Sequence, residues 1–207
     1  MPGASVSARL KHEIRGNKLK WTLSTGDFVR IALFAAIIAA LGLTPPITLA
    51  FLGGVPVTAQ TLGVMLAGVV LGARLGVLSV SLLIFVVLLG APVLSGQRGG
   101  LGVLFGPSAG FFLGWIPAVI TVGWLYRVLP ISSVFTRAIV ASIVGGIVVL
   151  YIFGIPVMAW RAGFSFDKAF FASMTFVPGD VIKAVAVGFI AQMLEKRNAP
   201  AEDEEEL

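Results

Sequence analysis

The chain has 207 residues, of which 57% are hydrophobic and only 12% charged, and its mean hydropathy is +1.00. Soluble domains carry about twice that charged fraction, so the composition excludes an ordinary soluble enzyme and predicts an integral membrane protein. Cysteine is absent and His12 is the sole histidine, which excludes disulfides and any metal site built from cysteine or histidine ligands.

The chain begins with a basic segment, residues 1–26, which lacks an apolar core and a small-residue cleavage site. We therefore expect a cytoplasmic arm and no cleavable signal peptide. The net charge of +5 comes from Lys and Arg residues that flank apolar stretches, which indicates membrane topology and contact with anionic lipid, not nucleic-acid binding.

Residues 27–195 are predicted to form an all-α membrane domain, a bundle of six transmembrane helices. The predicted spans are Phe28–Leu43, Thr61–Gly72, Gly76–Leu89, Gly110–Leu129, Ala138–Met158 and Gly179–Leu194. The second and third are shorter than the ~20 residues that a crossing needs, so a count of five is the alternative. The chain closes with an acidic tail, residues 196–207, that we expect to be disordered.

The distribution of positive charge favours six spans. If the basic arm is cytoplasmic, six spans place the C-terminus and the turns that contain Arg74, Arg127 and Arg137 on the same side. The loop Thr44–Gln60, on the opposite side, has no Lys or Arg. This asymmetry follows the positive-inside rule and predicts cytoplasmic N- and C-termini.

Asp180 and Lys183 lie three residues apart in an otherwise apolar stretch and would share one face of a helix. A charge at membrane depth costs about 2.5–3.5 kcal/mol, so such residues usually face an interior site. The predicted topology places them at the outer end with Arg98, Thr58 and Gln60. They could form a purely structural ion pair, or a pocket in which Lys183 and Arg98 donate, Asp180 accepts, and Thr58 and Gln60 add neutral hydrogen bonds.

Small residues recur at four-residue spacing, which allows helices to approach closely in lipid. One row on the first span could pack within the bundle or receive a partner helix; it consists of Ala32, Ala36 and Ala40. Two glycine rows are expected to pack within the bundle; they are Gly68, Gly72 and Gly76, and Gly106, Gly110 and Gly114.

Catalytic motifs are missing from the sequence. The glycine-rich segment 99–106 follows no parallel strand, so it is not a dinucleotide loop. The sequence has no Walker A lysine, Ser-His-Asp set or HExxH motif. We therefore expect no enzyme, no cofactor and no metal, and an uptake function would take its energy from another subunit or an ion gradient. The remaining alternatives are a membrane enzyme that uses Asp180 and Lys183 as acid and base, and a structural packing subunit.

Four ordered stretches closely resemble the BioY family, the biotin-specific S components of energy-coupling-factor (ECF) transporters. These are Gly54–Gly68, Gly72–Gly76, Arg98–Pro107 and Pro178–Lys183, and the resemblance extends from about Arg30 to Leu194. It implies a six-helix S component in the bacterial cell (inner) membrane that captures biotin from the outer side with high affinity.

The resemblance also implies site residues and partners. The family's polar binding residues correspond to Arg98, Asp180 and Lys183, and the loop Thr44–Gln60 would act as a lid. The face formed by Ala32, Ala36 and Ala40 corresponds to the one that contacts the transmembrane coupling subunit, which works with two ATPases on other chains. An S component for a different vitamin is the alternative.

Biotin suits these side chains chemically. Asp180 can accept from a ureido N–H, and Lys183 and Arg98 can donate to the ureido carbonyl or to the carboxylate, although the sequence does not say which cation meets which oxygen. Trp160, Phe164 and Phe166 either help to line the pocket or anchor the protein at the membrane interface.

Overall fold

The computed structural model describes residues 23–45 and 58–198. The described part is helical and contains no strand. Its helices are α1 (Thr25–Gly42), α2 (Gln60–Leu88), α3 (Ala109–Val128), α4 (Val134–Ala162), α5 (Phe166–Met174) and α6 (Val177–Asn198), with a short 3₁₀ helix at Leu101–Phe105. All but α5 are long and apolar enough to cross a membrane, so five helices of the described part meet that criterion. Most of the basic arm (residues 1–22), the acidic tail beyond residue 198 and most of the predicted lid lie outside the described residues.

Helix α2 reverses its direction at Gly72, where φ is 76° and ψ is 177°. A Cβ atom on Gly76 would lie 3.2 Å from the carbonyl oxygen of Ala67, although nine residues of straight helix rise about 13.5 Å. Ser95, after the end of α2, hydrogen-bonds to Gln60 at its start. Helix α2 therefore consists of two antiparallel legs, which correspond to the two short spans predicted on either side of residues 72–76. The described bundle thus has six long helical legs.

Gly72 is required at this reversal for two reasons. Its φ and ψ fall in a region that residues with a Cβ atom essentially never adopt. In addition, the guanidinium of Arg127 occupies the space that a Cβ atom would need, and its Nη2 lies 3.5 Å from the carbonyl oxygen of Leu71. The reversal and Arg127 together close one end of the bundle.

Serine side chains form capping hydrogen bonds at the start of three helices. At the start of α1, Asp27 N donates to Ser24 Oγ at 3.1 Å and Ser24 N donates to Asp27 Oδ2 at 3.0 Å, which forms a capping box. Ser133 and Ser165 accept in the same way at the starts of α4 and α5. In the middle of α4, residues Val144–Val149 form a π-helical turn.

The sequence predicted no helix between the last two spans, but the structure has α5 there. Asp167 and Lys168 are helical, and α4 itself continues through Ala162. Helix α5 is only nine residues long, and its buried side chains are small, namely Ala169, Ala172 and Ser173. The apolar periodicity that usually reveals a helix is therefore missing from its buried face.

Most of the glycine rows pack within the bundle, as predicted. A Cβ atom on Gly68 would lie 2.7 Å from Val122, and one on Gly110 would lie 2.6 Å from the carbonyl oxygen of Phe153. Gly106 differs, since its nearest neighbouring atom would be 3.9 Å away.

Helix α1 lies at the edge of the bundle and packs almost wholly against α2. Ser79 Oγ donates to the carbonyl oxygen of Ile31 at 3.0 Å and links the two helices. The residues of the predicted partner face, Ala32, Ala36 and Ala40, are exposed. Within the described residues, this face of α1 is thus uncovered.

Candidate ligand-binding site

A cavity lies at the end of the bundle opposite the Gly72 reversal. It is formed by the start of α2, the segment between α2 and α3, the first turns of α3 and α6, and the middle of α4. Its polar lining consists of Thr58, Gln60, Thr61, Arg98, Ser108, Tyr151, Asp180 and Lys183. The structure therefore brings all five sequence-predicted site residues to one cavity, together with three polar residues that the sequence did not indicate.

Asp180 and Lys183 form an ion pair in the first turns of α6. Lys183 Nζ lies 2.8 Å from Asp180 Oδ1, and the two side chains are only 16% and 6% exposed. Asp180 is placed near the N-terminus of α6, where the helix dipole favours a negative charge. The pair carries no net charge, so its burial is less costly than that of either ion alone.

Thr61 and Tyr151 form further hydrogen bonds with this ion pair. Thr61 Oγ1 donates to Asp180 Oδ1 at 3.2 Å and accepts from Lys183 Nζ at 2.9 Å. The hydroxyl of Tyr151 donates to Asp180 Oδ2 at 2.7 Å. Sequence reasoning missed both residues, although one signal was available: Tyr151 is one of only two tyrosines and lies inside an apolar span, where its hydroxyl needs a partner.

Gln60 serves mainly to hold the cavity wall. Its side chain is buried, with the residue 2% exposed. Nε2 donates to the carbonyl oxygens of Ile38 and Val93 at 3.3 and 3.2 Å, and Oε1 accepts from Ser95 N at 3.3 Å. Both amide hydrogens are thus used by the backbone, and only the second lone pair of Oε1 remains for a ligand.

Arg98 is held at the cavity by a tight backbone loop. Leu94 and Arg98 exchange two backbone hydrogen bonds of 3.0 and 3.2 Å, and between them Gln97 has a φ of 55°, which is uncommon for a residue with a side chain. Arg98 Nε donates to the carbonyl oxygen of Ser95 at 3.1 Å, and Nη1 donates to Ser108 Oγ at 3.0 Å.

The two cations of the cavity differ in their counter-charges. Lys183 has Asp180, whereas no carboxylate of the described residues pairs with Arg98. Partial burial lowers the pKa of Arg98, but a guanidinium starts from so high a value that it stays protonated. Arg98 is therefore the cavity's uncompensated positive charge.

The apolar wall of the cavity is largely aromatic, but its aromatic residues differ from those that the sequence suggested. It includes Phe111, Phe112, Trp115 and Phe176. The ring of Phe111 meets that of Tyr151 edge to face, with centroids 5.7 Å apart.

Of the three aromatic residues suggested by the sequence, none lines the cavity. Trp160 is 72% exposed and Phe166 is 58% exposed, as expected of the alternative interpretation, anchors at a membrane interface. Phe164 packs against the core and lies beneath Lys168, whose Nζ is 4.0 Å from the ring centroid.

Comparisons with known proteins agree on one family. The sequence model of the BioY family matches residues 14–199. A biotin transporter BioY of Rhizobium etli is 51% identical over 82% of this chain and 93% of its own length. One of Rhodobacter capsulatus is 42% identical over 79% of this chain and 90% of its own length.

A solved structure has a similar fold. It is the crystal structure of the S component for biotin from an ECF-type ABC transporter, and it superimposes with a TM-score of 0.77. The two chains are 26% identical, and the similarity covers 84% of this chain and 95% of the other.

Proposed function

The chain belongs to the BioY family, and on that basis we propose that it is a high-affinity biotin-binding membrane subunit, the substrate-capture component of an ECF-type transporter. The observation that carries the proposal is the cavity, where a buried ion pair, an uncompensated guanidinium and an aromatic wall meet. Biotin presents a ureido ring, an apolar thioether ring and a carboxylate, and each has a chemical counterpart there.

The charges support one orientation of the ligand. Asp180 and Lys183 neutralise each other at 2.8 Å, so they suit a neutral group that both donates and accepts, as the ureido ring does. Arg98 has no counter-charge in the described part of the chain and suits the carboxylate. Biotin would then bring the missing negative charge to Arg98, and the aromatic wall would cover the apolar ring.

The arginines at one end of the bundle support an orientation of the protein in the membrane. Arg74 and Arg127 lie at or beside the reversal at Gly72, and Arg137 stacks on Tyr126 near that same end. By the positive-inside rule this end faces the cytoplasm, which gives six crossings, cytoplasmic termini and a cavity that opens outward. The bacterial inner membrane is the corresponding location.

The exposed face of α1 supports a partner. Ala32, Ala36 and Ala40 present small side chains on a helix that packs almost wholly against α2, and small residues let a second helix approach closely in lipid. We place the transmembrane coupling subunit there. Two ATPases on other chains would supply the energy, and this chain would perform no catalysis.

Calorimetric titration of the purified protein in detergent tests the proposal, with riboflavin and thiamine as control ligands. One-to-one binding of biotin alone is the expected result. A folded, ligand-free sample that binds riboflavin or thiamine instead would support an S component for another vitamin. A sample that binds none of the three would contradict a role in capturing these vitamins.

A further inference from the structure

The polar contacts of Asp180 leave it little capacity for a ligand. A carboxylate offers about four lone-pair sites. Oδ1 accepts from Lys183 at 2.8 Å and from Thr61 at 3.2 Å, so both of its sites are used. Oδ2 accepts from the hydroxyl of Tyr151 at 2.7 Å, so among the described residues one acceptor site remains unused, on Oδ2.

The same count applies to the cation. An ammonium group has three N–H donors, and Lys183 gives one to Asp180 and one to Thr61. One donor remains. Since both residues line the cavity, the ion pair presents one acceptor and one donor side by side. That pattern complements an adjacent N–H and C=O, the edge of a cyclic amide or urea.

We infer that Tyr151 and Thr61 are positioning residues that hold the Asp180–Lys183 pair against one H–N–C=O edge of the ureido ring, and so select which of the two N–H groups of biotin donates to Asp180. The inference rests on the proposed function and deepens it. Tyr151 orients the carboxylate from α4 while Thr61 holds the ion pair from α2. Without either hydroxyl, the carboxylate gains an open lone pair and loses its fixed direction.

Two isosteric ligands test this asymmetry. In each, a different ureido N–H is replaced by a ring oxygen, so that one donor is removed without added bulk. We expect Tyr151→Phe to weaken the binding of biotin and of one cyclic carbamate by roughly tenfold, the scale of one hydrogen bond to a charged group. The other carbamate, which lacks the N–H that Asp180 accepts, should bind the variant and the parent equally.

The result is a ligand–protein double-mutant cycle, which separates positioning from a general loss of packing. The inference would be overturned if Tyr151→Phe weakened the binding of all three ligands equally. It would also be overturned if the variant bound both carbamates as tightly as the parent does. Tyr126→Phe is the matched control, because Tyr126 lies beneath Arg137 and outside the cavity; it should change no affinity. Thr61→Val should weaken biotin binding, whereas Thr61→Ser, which keeps the hydroxyl, should bind biotin as tightly as the parent does.

The experiment distinguishes a failure of the proposed function from a failure of the positioning inference. If the full-length parent protein in detergent does not bind biotin, the proposed function fails before any variant is made. If the parent binds biotin but Tyr151→Phe shows no difference between the two carbamates, only the positioning inference fails. Thermal unfolding without ligand confirms that each variant is folded.

Discussion

The guanidinium of Arg127 fills the space in which a side chain on Gly72 would begin. Gly100 offers a natural comparison, since its φ of 79° and ψ of 174° are nearly those of Gly72 but a Cβ atom there would meet nothing within 4 Å. The two glycines thus share one backbone conformation and differ in their surroundings.

Gly72→Ala should therefore destabilise the protein more than Gly100→Ala does. We expect Gly100→Ala to cost about 1–3 kcal/mol of unfolding free energy, from backbone strain alone. Gly72→Ala adds the displacement of Arg127, so repeating it in an Arg127→Ala background should bring its cost down to the Gly100→Ala value. Unfolding in mixed detergent micelles gives the stability of the parent, the three single variants and the double variant. An unchanged cost in the Arg127→Ala background would contradict the steric role of Arg127.

Lys183→Met should abolish tight biotin binding and also lower stability. It leaves Asp180, 4% exposed, without its counter-charge, and breaking such a buried pair costs about 3–5 kcal/mol. Adding Asp180→Asn should recover much of the stability but none of the binding. Lys168→Met serves as the control because Lys168 is exposed and lies outside the cavity. Calorimetry and thermal unfolding give the two readings, and normal binding by Lys183→Met would remove Lys183 from the site.

Arg98→Gln should weaken biotin by about 2 kcal/mol or more, since it removes the cation assigned to the carboxylate. The affinity for biotinamide, which has no carboxylate, should fall much less. Arg161→Gln is a suitable control, as Arg161 stacks on Phe105 and Trp160 away from the lining residues. The measurement is a titration of both ligands against each variant. Equal losses of affinity for biotin and biotinamide would contradict the proposed orientation, in which Arg98 meets the carboxylate.

Gln60→Leu is expected to destabilise the ligand-free protein by about 1–3 kcal/mol, because it removes the hydrogen bonds of the amide to three backbone groups in the cavity wall. Those groups belong to Ile38, Val93 and Ser95. Gln192→Leu, at an exposed position of α6, should have little effect on thermal unfolding. If the two variants unfold alike, the amide of Gln60 is not a structural tie.

Ala36→Leu should leave biotin binding intact and impair assembly with the coupling subunit. A bulky side chain would hold a partner helix away from α1, whereas the cavity draws no residue from α1. Val148→Leu, on the exposed surface of α4, provides a control away from the alanine row. Co-purification of the assembled transporter reports the outcome, and full assembly with Ala36→Leu would rule out this face as the interface.

The sequence predicted the long helices well because apolar length and flanking charge are local properties. It also predicted the paired short legs, since Gly72 and Arg74 interrupt the apolar run. It failed at α5, whose buried side chains are small. The five predicted polar residues do share one cavity. For Asp180 and Lys183 the reason is local, because ionisable groups within an apolar stretch have few other places to go.

The partners of those residues could not be predicted. Tyr151 lies 29 residues before Asp180 and Thr61 lies 119 before it, so no periodicity relates them. The same holds for the aromatic wall, where the packing of α3 against α4 decides which rings face inward. The hydrogen bonds of Gln60 depend equally on tertiary contacts, with Ile38 22 residues away.

The position of Gln60 has a mechanical consequence. Its side chain donates a hydrogen bond to the main chain of α1 at Ile38, two residues from Ala36. The next residue along α2, Thr61, is hydrogen-bonded to both members of the ion pair. A shift of Asp180 and Lys183 on ligand binding would therefore act on the same turn of α2 that is hydrogen-bonded to α1. The cavity and the outer helix α1 are thus connected through two neighbouring residues of α2, by hydrogen bonds on either side of the peptide bond that joins Gln60 and Thr61.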